Sequence, residues 1–342
     1  MIKQTVLAIG LLQAFSISAE TALPKVTTSI KPVSMVVKAV AGEYADIQQV
    51  VGNNASPHDF ALRPSDIRKI NQADAVVWVG ESLESFLEKS LENAGKLDNA
   101  IEWLALDGVT LASYSEHDHD KHDDHKGHDH HDEHDHHNEH DEHKGHDHHD
   151  EHDHHYKHDE RKGHDHHGHN HGEFDPHVWL SPDNAIVLAK AVAHRLSELA
   201  PSHHQHYQAN LANFIDAVEK QEQASKNALK ALADVKYIVF HDAYHYFEEH
   251  NGIYHAAEVA INPERKPGAK KVAQLRHLIE DDGVSCIYAE PQFSDAIIHS
   301  LTEDLSVKIA MLDPLGSDIT LSETAYVDFL EALTQQFLAC KS

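Results

Sequence analysis

The stretch KYIVFHD, from Lys236 to Asp242, joins an apolar run directly to a histidine and an aspartate. Its first five residues are mostly β-branched or aromatic, which is typical of a buried strand. Similar short strands are predicted at residues 25–30, 46–51, 75–79, 286–289 and 307–312, with helical patterns between them. This alternation indicates parallel β-sheets covered by helices, so the predicted fold class is α/β.

The helical patterns divide the chain into two lobes. The longest pattern, residues 201–232, follows a break at Pro201 and would extend about 45 Å at roughly 1.5 Å per residue. We expect it to form a rigid helix that links an N-terminal α/β lobe, residues 24–200, to a C-terminal α/β lobe, residues 233–342. Shorter helices are predicted over residues 32–40, 65–71, 83–91, 181–199, 268–279, 294–305 and 323–340.

One segment of the N-terminal lobe has a different composition. Of the 36 histidines in the chain, 24 lie between Glu116 and Gly172, beside 19 acidic and six basic residues. Apolar residues are nearly absent there, so the segment cannot bury enough surface to offset the entropy of ordering. We therefore expect residues 116–172 to be a disordered His-rich loop that collects or buffers metal ions, since histidine is the commonest metal ligand.

Charge and the N-terminal sequence narrow the class of protein further. A formal net charge of −29 argues against nucleic acid as a partner, because nucleic-acid binding needs basic surfaces. In the N-terminal sequence, Lys3 precedes a mostly apolar run from Val6 to Phe15, and small residues follow at Ser18 and Ala19. This pattern predicts a signal peptide over residues 1–19 and export to the periplasm. Beyond it no apolar run is long enough to span a membrane, so we expect no membrane insertion.

Three of four candidate metal ligands lie at or near the carboxyl ends of predicted strands, where open parallel sheets bind their ligands. His58 follows the second strand, His241 directly follows KYIVF, Asp313 directly follows the last strand, and His177 precedes a helix start. Three imidazoles and one carboxylate, two from each lobe, suit tetrahedral Zn²⁺. Mg²⁺ and Ca²⁺ prefer oxygen ligands, and Mn²⁺ is better served by more carboxylates.

Six motifs resemble those of a known family: SPHDFALRPSD, FDPHVWLSP, VFHDAYHYF, NPERKPG, AEPQFS and LDPLGS. They are similar, in the same order, to the zinc-binding proteins of bacterial zinc-uptake ABC transporters, the ZnuA type of the cluster A-I solute-binding proteins. The resemblance implies a monomer that carries Zn²⁺ between two lobes to the membrane permease and ATPase subunits of a transporter. By position, His58, His177 and His241 match the three histidine ligands.

The resemblance leaves the fourth ligand open. Asp313 matches the fourth ligand of some relatives, whereas other zinc members use water or a glutamate just before the first histidine. Pro57 stands at that glutamate position in this chain, so Asp313 and water remain. Manganese-binding relatives carry a carboxylate where this chain has His241, which favours zinc.

The two cysteines, Cys286 and Cys340, are consistent on their own with either a disulfide or two separate buried thiols. The resemblance implies that they form a disulfide.

Three alternative functions remain from the sequence: a manganese or iron carrier of the same family, a periplasmic zinc buffer without a transporter, and a zinc hydrolase. The His-rich loop contains H-x-x-E-H matches, for example at His130–His134. Such a motif acts only on a helix, which this composition resists, so we expect no enzyme activity.

Overall fold

The computed structural model of the protein describes residues 22–113, 174–260 and 263–341. The predicted signal peptide and the His-rich loop lie outside these residues. In the described part of the chain the strands form two parallel sheets, with orders β2-β1-β3-β4 and β6-β5-β7-β8. The α/β fold class with two parallel-sheet lobes is therefore confirmed.

The first sheet and its helices form the N-terminal lobe. Its strands are β1 Lys25–Thr28, β2 Asp46–Gln49, β3 Ala75–Trp78 and β4 Ile101–Glu102. Its helices are α1 Lys31–Ala41, α2 Pro64–Gln72, α3 Glu81–Asn93 and, after the gap in the described residues, α4 Pro182–Leu199.

The second sheet forms the C-terminal lobe. Its strands are β5 Tyr237–His241, β6 Ala257–Ala260, β7 Cys286–Ala289 and β8 Lys308–Met311. Its helices are α6 His245–Asn251, α7 Ala269–Glu280, α8 Ala296–Thr302 and α9 Ala325–Leu338. Strand β5 pairs with both β6 and β7, which explains why all five of its residues are buried.

The long helix between the lobes is α5, His204–Leu229. It is three residues shorter at each end than predicted, because 3-10 turns occupy Pro201–His203 and Lys230–Leu232. It contacts α1 and α4 of the N-terminal lobe and α6 and α9 of the C-terminal lobe. Near its start, the hydroxyl of Tyr207 donates to the carbonyl of Tyr44 at 2.9 Å. Near its end, the hydroxyls of Ser225 and Thr334 lie 2.7 Å apart, so α5 is anchored in both lobes.

One hydrophobic core, here called the shared core, runs through both lobes. It includes Trp78 of β3, Phe214 of α5 and Phe329 of α9. A second core lies within the C-terminal lobe, on the other face of its sheet. Successive side chains of strand β5 point to opposite faces of the sheet. Tyr237 and Val239 therefore enter the shared core, and Ile238 and Phe240 enter the second core.

The pairing of the two cysteines is confirmed. Cys286, the first residue of β7, is disulfide-bonded to Cys340 just after α9, with Cα atoms 5.7 Å apart. The bond ties the last helix to the sheet of the C-terminal lobe. Within the part of the chain that is described, no helix combines the length and hydrophobicity needed to cross a membrane.

Candidate metal centre

Three histidines converge where the carboxyl ends of the two sheets face each other. His58 lies in the loop after β2, His177 precedes the 3-10 turn Val178–Leu180, and His241 is the last residue of β5. The Nε2 atom of His177 lies 3.4 Å from Nε2 of His58 and 3.3 Å from Nε2 of His241. Among the described residues, their ligand atoms form the one group of three or more that lies within 4.8 Å.

These separations match the dimensions of a zinc site. Two imidazole nitrogens that bind one tetrahedral zinc at 2.0–2.1 Å lie about 3.3 Å apart. Nε2 of His177 thus already lies at the spacing from Nε2 of His58 and from Nε2 of His241 that a shared zinc requires.

Two buried carboxylates orient the rings. Asp175 accepts a hydrogen bond from Nδ1 of His177 at 2.6 Å and one from its backbone N–H at 2.9 Å. Glu290 accepts one from Nδ1 of His241 at 2.8 Å and one from the hydroxyl of Tyr244 at 3.1 Å. Because Nδ1 carries the proton in such pairs, the Nε2 lone pairs of both rings point toward the common centre, as in carboxylate–histidine–metal arrangements.

The electrostatics of the site favour neutral imidazoles. Burial lowers the pKa of His177 well below its usual value, and the neighbouring His241 adds to the effect. Burial likewise lowers the pKa of His58, together with the charges that His177 and His241 would carry. Burial raises the pKa of Asp175 to about 7. A cation bound at the centre would therefore contact the Nε2 lone pairs of neutral imidazoles.

The cavity at the centre is small. Its wall includes Pro57, Trp179, Phe293 and Leu315, and its volume of about 10 Å³ is about enough for one water molecule. The arrangement suits capture of a single ion.

Asp313, predicted from its strand-end position as a candidate ligand, does not belong to the group of three histidines. Its carboxylate accepts hydrogen bonds from the amide of Gln292 at 2.8 Å, the backbone of Leu315 at 3.1 Å and the backbone of Ser317 at 2.6 Å. Its position after a strand places Asp313 at the ligand-binding edge of the sheet. These contacts, however, direct its oxygens toward the turn that follows β8. Its role as fourth ligand gains no support from this arrangement.

Sequence reasoning missed the residues that hold the ligands in place. Asp175 stands two residues before His177, and Glu290 follows β7, which neighbours β5 in the sheet. Glu290 obeys the same strand-end rule that identified His241, so that rule had the signal to find it. Asp175 follows no strand, and no other feature of the sequence pointed to its role.

Two α/β lobes that enclose a site sized for one ion form the architecture of a solute-binding protein. The profile of the family described as "Zinc-uptake complex component A periplasmic" matches residues 26–340. The chain belongs to this family, ZnuA, whose members are solute-binding transport proteins and not enzymes.

Individual relatives agree with this membership. The high-affinity zinc uptake system protein ZnuA of Haemophilus influenzae is 41% identical over 92% of this chain and 92% of its own length. The protein of the same name from Yersinia pestis is 35% identical over 99% of this chain and 97% of its own length. A solved structure of a ZnuA deletion mutant with zinc bound has a TM-score of 0.68 and 21% identity, covering 94% of this chain and 99% of its own. The last of these shows a common fold.

Proposed function

We propose that the chain is the periplasmic component of a zinc-uptake system that captures one Zn²⁺ between its lobes. In this proposal His58, His177 and His241 are the ligands, and Asp175 and Glu290 hold two of them in place. The observation that carries the proposal is that Nε2 of His177 lies 3.4 Å from Nε2 of His58 and 3.3 Å from Nε2 of His241, with the ligand atoms of all three histidines within 4.8 Å of one another. Three converging lone pairs repel one another, and a cation at their centre relieves that repulsion.

Zinc fits this ligand set better than the alternative metals. All three ligand atoms are imidazole nitrogens, whereas manganese and iron carriers are better served by carboxylate oxygens. The nearby carboxylates of Asp175 and Glu290 each accept a hydrogen bond from a histidine Nδ1 through one oxygen. The relatives in the family are named for zinc uptake, which agrees with this choice.

Family membership and the sequence support the transport setting. We propose that residues 1–19 direct export to the periplasm, and that the domains are residues 24–200, the linking helix 201–232 and residues 233–342. The loaded protein, a monomer, then delivers Zn²⁺ to the permease and ATPase subunits of an ABC transporter. The His-rich loop, residues 116–172, collects zinc, and its many carboxylates attract cations over about one Debye length.

The ligand set is tested by replacing each histidine in the full-length protein. His58→Ala, His177→Ala and His241→Ala are compared with His277→Ala, an exposed histidine bonded to Asp281 in the C-terminal lobe. Protein loaded with zinc is dialysed against a chelator of intermediate affinity, and the zinc retained is counted by native mass spectrometry.

We expect wild type and His277→Ala to retain one zinc, and each of the three site variants to lose it. Retention of one zinc by all three site variants would overturn the assignment. A wild-type protein that retains no zinc would contradict the capture function itself.

A further inference from the structure

The turn after β8, residues 313–317, contacts the segments that carry all three histidines. Its Pro314 carbonyl accepts a hydrogen bond from the indole of Trp179, two residues after His177, at 2.8 Å. Its Ser317 hydroxyl donates to the carbonyl of Asn53, five residues before His58, at 2.8 Å.

The third connection runs through Gln292. Its amide nitrogen donates to Asp313 at 2.8 Å and to the hydroxyl of Ser317 at 3.0 Å. Gln292 also lines the metal cavity and lies two residues after Glu290, which holds His241. One short turn is therefore bonded to each wall of the site.

The turn itself is tightly constrained. The carboxylate of Asp313 closes it by accepting from the backbone of Leu315 and Ser317, and the backbone N–H of Asp313 donates to Gln336 of α9. Gly316 has a φ of +61°, and a Cβ atom there would lie 2.8 Å from the ring of Phe329. The buried Lys31, at the start of α1, points its ammonium at the carbonyl of Ser317 at 3.4 Å. A turn this constrained keeps a fixed position for what it holds.

We infer that Asp313 and Ser317 are positioning residues that hold the His58 loop of the N-terminal lobe against the C-terminal lobe. The inference deepens the proposed function and rests on it. In this role Asp313 acts through the turn: its oxygens order Ser317, and Ser317 holds Asn53. Four of the eight residues from 52 to 59 are exposed and only Pro57 is buried, so this contact with the buried hydroxyl of Ser317 limits where His58 can lie.

The test uses Ser317→Ala in the full-length protein with two readouts. The first is the rate of the slow phase of zinc release to excess chelator, which reports the tight site. The second is amide hydrogen exchange of residues 52–59 in the zinc-free protein, compared with residues 237–241 of β5. Ser294→Ala is the matched control, because its hydroxyl accepts a hydrogen bond from the nearby Ala296 N–H in the same lobe.

We expect Ser317→Ala to speed slow-phase release and exchange of residues 52–59 about three- to tenfold each, the effect of losing one hydrogen bond. Exchange of β5 should be unchanged, Ser294→Ala should match wild type in both readouts, and Ser317→Thr, which keeps the hydroxyl, should restore both. Wild-type release and exchange in a cooperatively folded Ser317→Ala would overturn the inference. Global loosening, seen as faster exchange in β5 as well, would also count against it.

Asp313→Asn separates positioning from ligation. If Asp313 positions the loop, this variant speeds exchange of residues 52–59 in the zinc-free protein as well as zinc release. Faster release with unchanged exchange would show that Asp313 is a ligand and would overturn the inference. Failure of the proposed function is a distinct result, since wild type itself would then lack a slow phase while the exchange comparison still reports on the contact.

Discussion

Replacement of Asp175 by asparagine should change how zinc affinity depends on pH. Asp175 is 1% exposed and lies 2.6 Å from Nδ1 of His177. Burial raises its pKa to about 7, so its carboxyl group carries a proton about half the time in the zinc-free protein at neutral pH. A doubly charged ion on the other side of the His177 ring favours the ionised carboxylate. Zinc binding therefore displaces that proton at pH values below 7.

This displacement of a proton determines how zinc affinity changes with pH. The pKa of Asp175 is lower with zinc than without it, so the contribution of the carboxylate to affinity is present above pH 7 and is lost as the pH falls through 7. Each further pH unit is worth about 1.4 kcal/mol, or tenfold. From pH 7 to pH 5 the loss is about 50-fold. Burial keeps the pKa values of His58 and His177 well below 6.5, so these two imidazoles compete with zinc at lower pH.

Asp175→Asn keeps the size of the side chain but removes its titration. At pH 8 we expect the variant to bind zinc about 10- to 100-fold more weakly, the usual effect of losing a carboxylate behind a metal-bound histidine. Between pH 7 and pH 5 its affinity should fall much less steeply than that of wild type, so the two curves converge.

The measurement is competition with a chelator of known pH dependence, at half an equivalent of zinc so that the tightest site fills first. Asp295→Asn is the control, because it removes a carboxylate from an exposed aspartate–histidine pair in which Asp295 and His299 lie 3.2 Å apart. It should reproduce the wild-type curve. Parallel curves for Asp175→Asn and wild type over this range would refute the reasoning.

Three further outcomes are expected. Replacing both Cys286 and Cys340 by serine should lower the free energy of unfolding by up to about 4 kcal/mol, since the bond closes a loop of 54 residues; an unchanged urea midpoint would contradict this. Gly316→Ala should cost about 2 kcal/mol or more through its positive φ and its contact with Phe329, and a wild-type melting temperature would argue against that strain. Deleting residues 116–172 should remove several weaker zincs and retain the tight one, as counted by mass spectrometry; an unchanged count would remove the buffering role.

The fold was largely predictable because its strands are short apolar runs. All six predicted strands are present, each within two residues of the predicted ends. Two strands and one helix were missed: β4 has only two residues, β6 contains Glu258, and α6 has only seven residues. Such elements are fixed by their neighbours in the sheet and by packing, which a local pattern does not contain.

The site was predictable as far as position along the chain determines it. His58 lies in the loop after β2 and His241 is the last residue of β5, and parallel sheets bind ligands beyond the carboxyl ends of their strands, so strand position predicted both residues. The role of a carboxylate at the end of a strand cannot be predicted from its position along the chain. Asp313 and Glu290 both come after strands, yet one closes a turn and the other holds a histidine. That difference depends on which groups the tertiary structure places within 3 Å of each oxygen.

The shared core limits how such a protein can release its ion. A hinge motion that swung the lobes apart would bring core side chains such as Phe214 into water, and each 100 Å² of exposed apolar surface would cost about 2.5 kcal/mol. A shear motion, in which packed helices slide by small steps, avoids most of that exposure. A shear motion is also large enough to release the ion. Zinc–nitrogen bonds are only about 2 Å long, so a slide of about 1 Å by one loop breaks one of them.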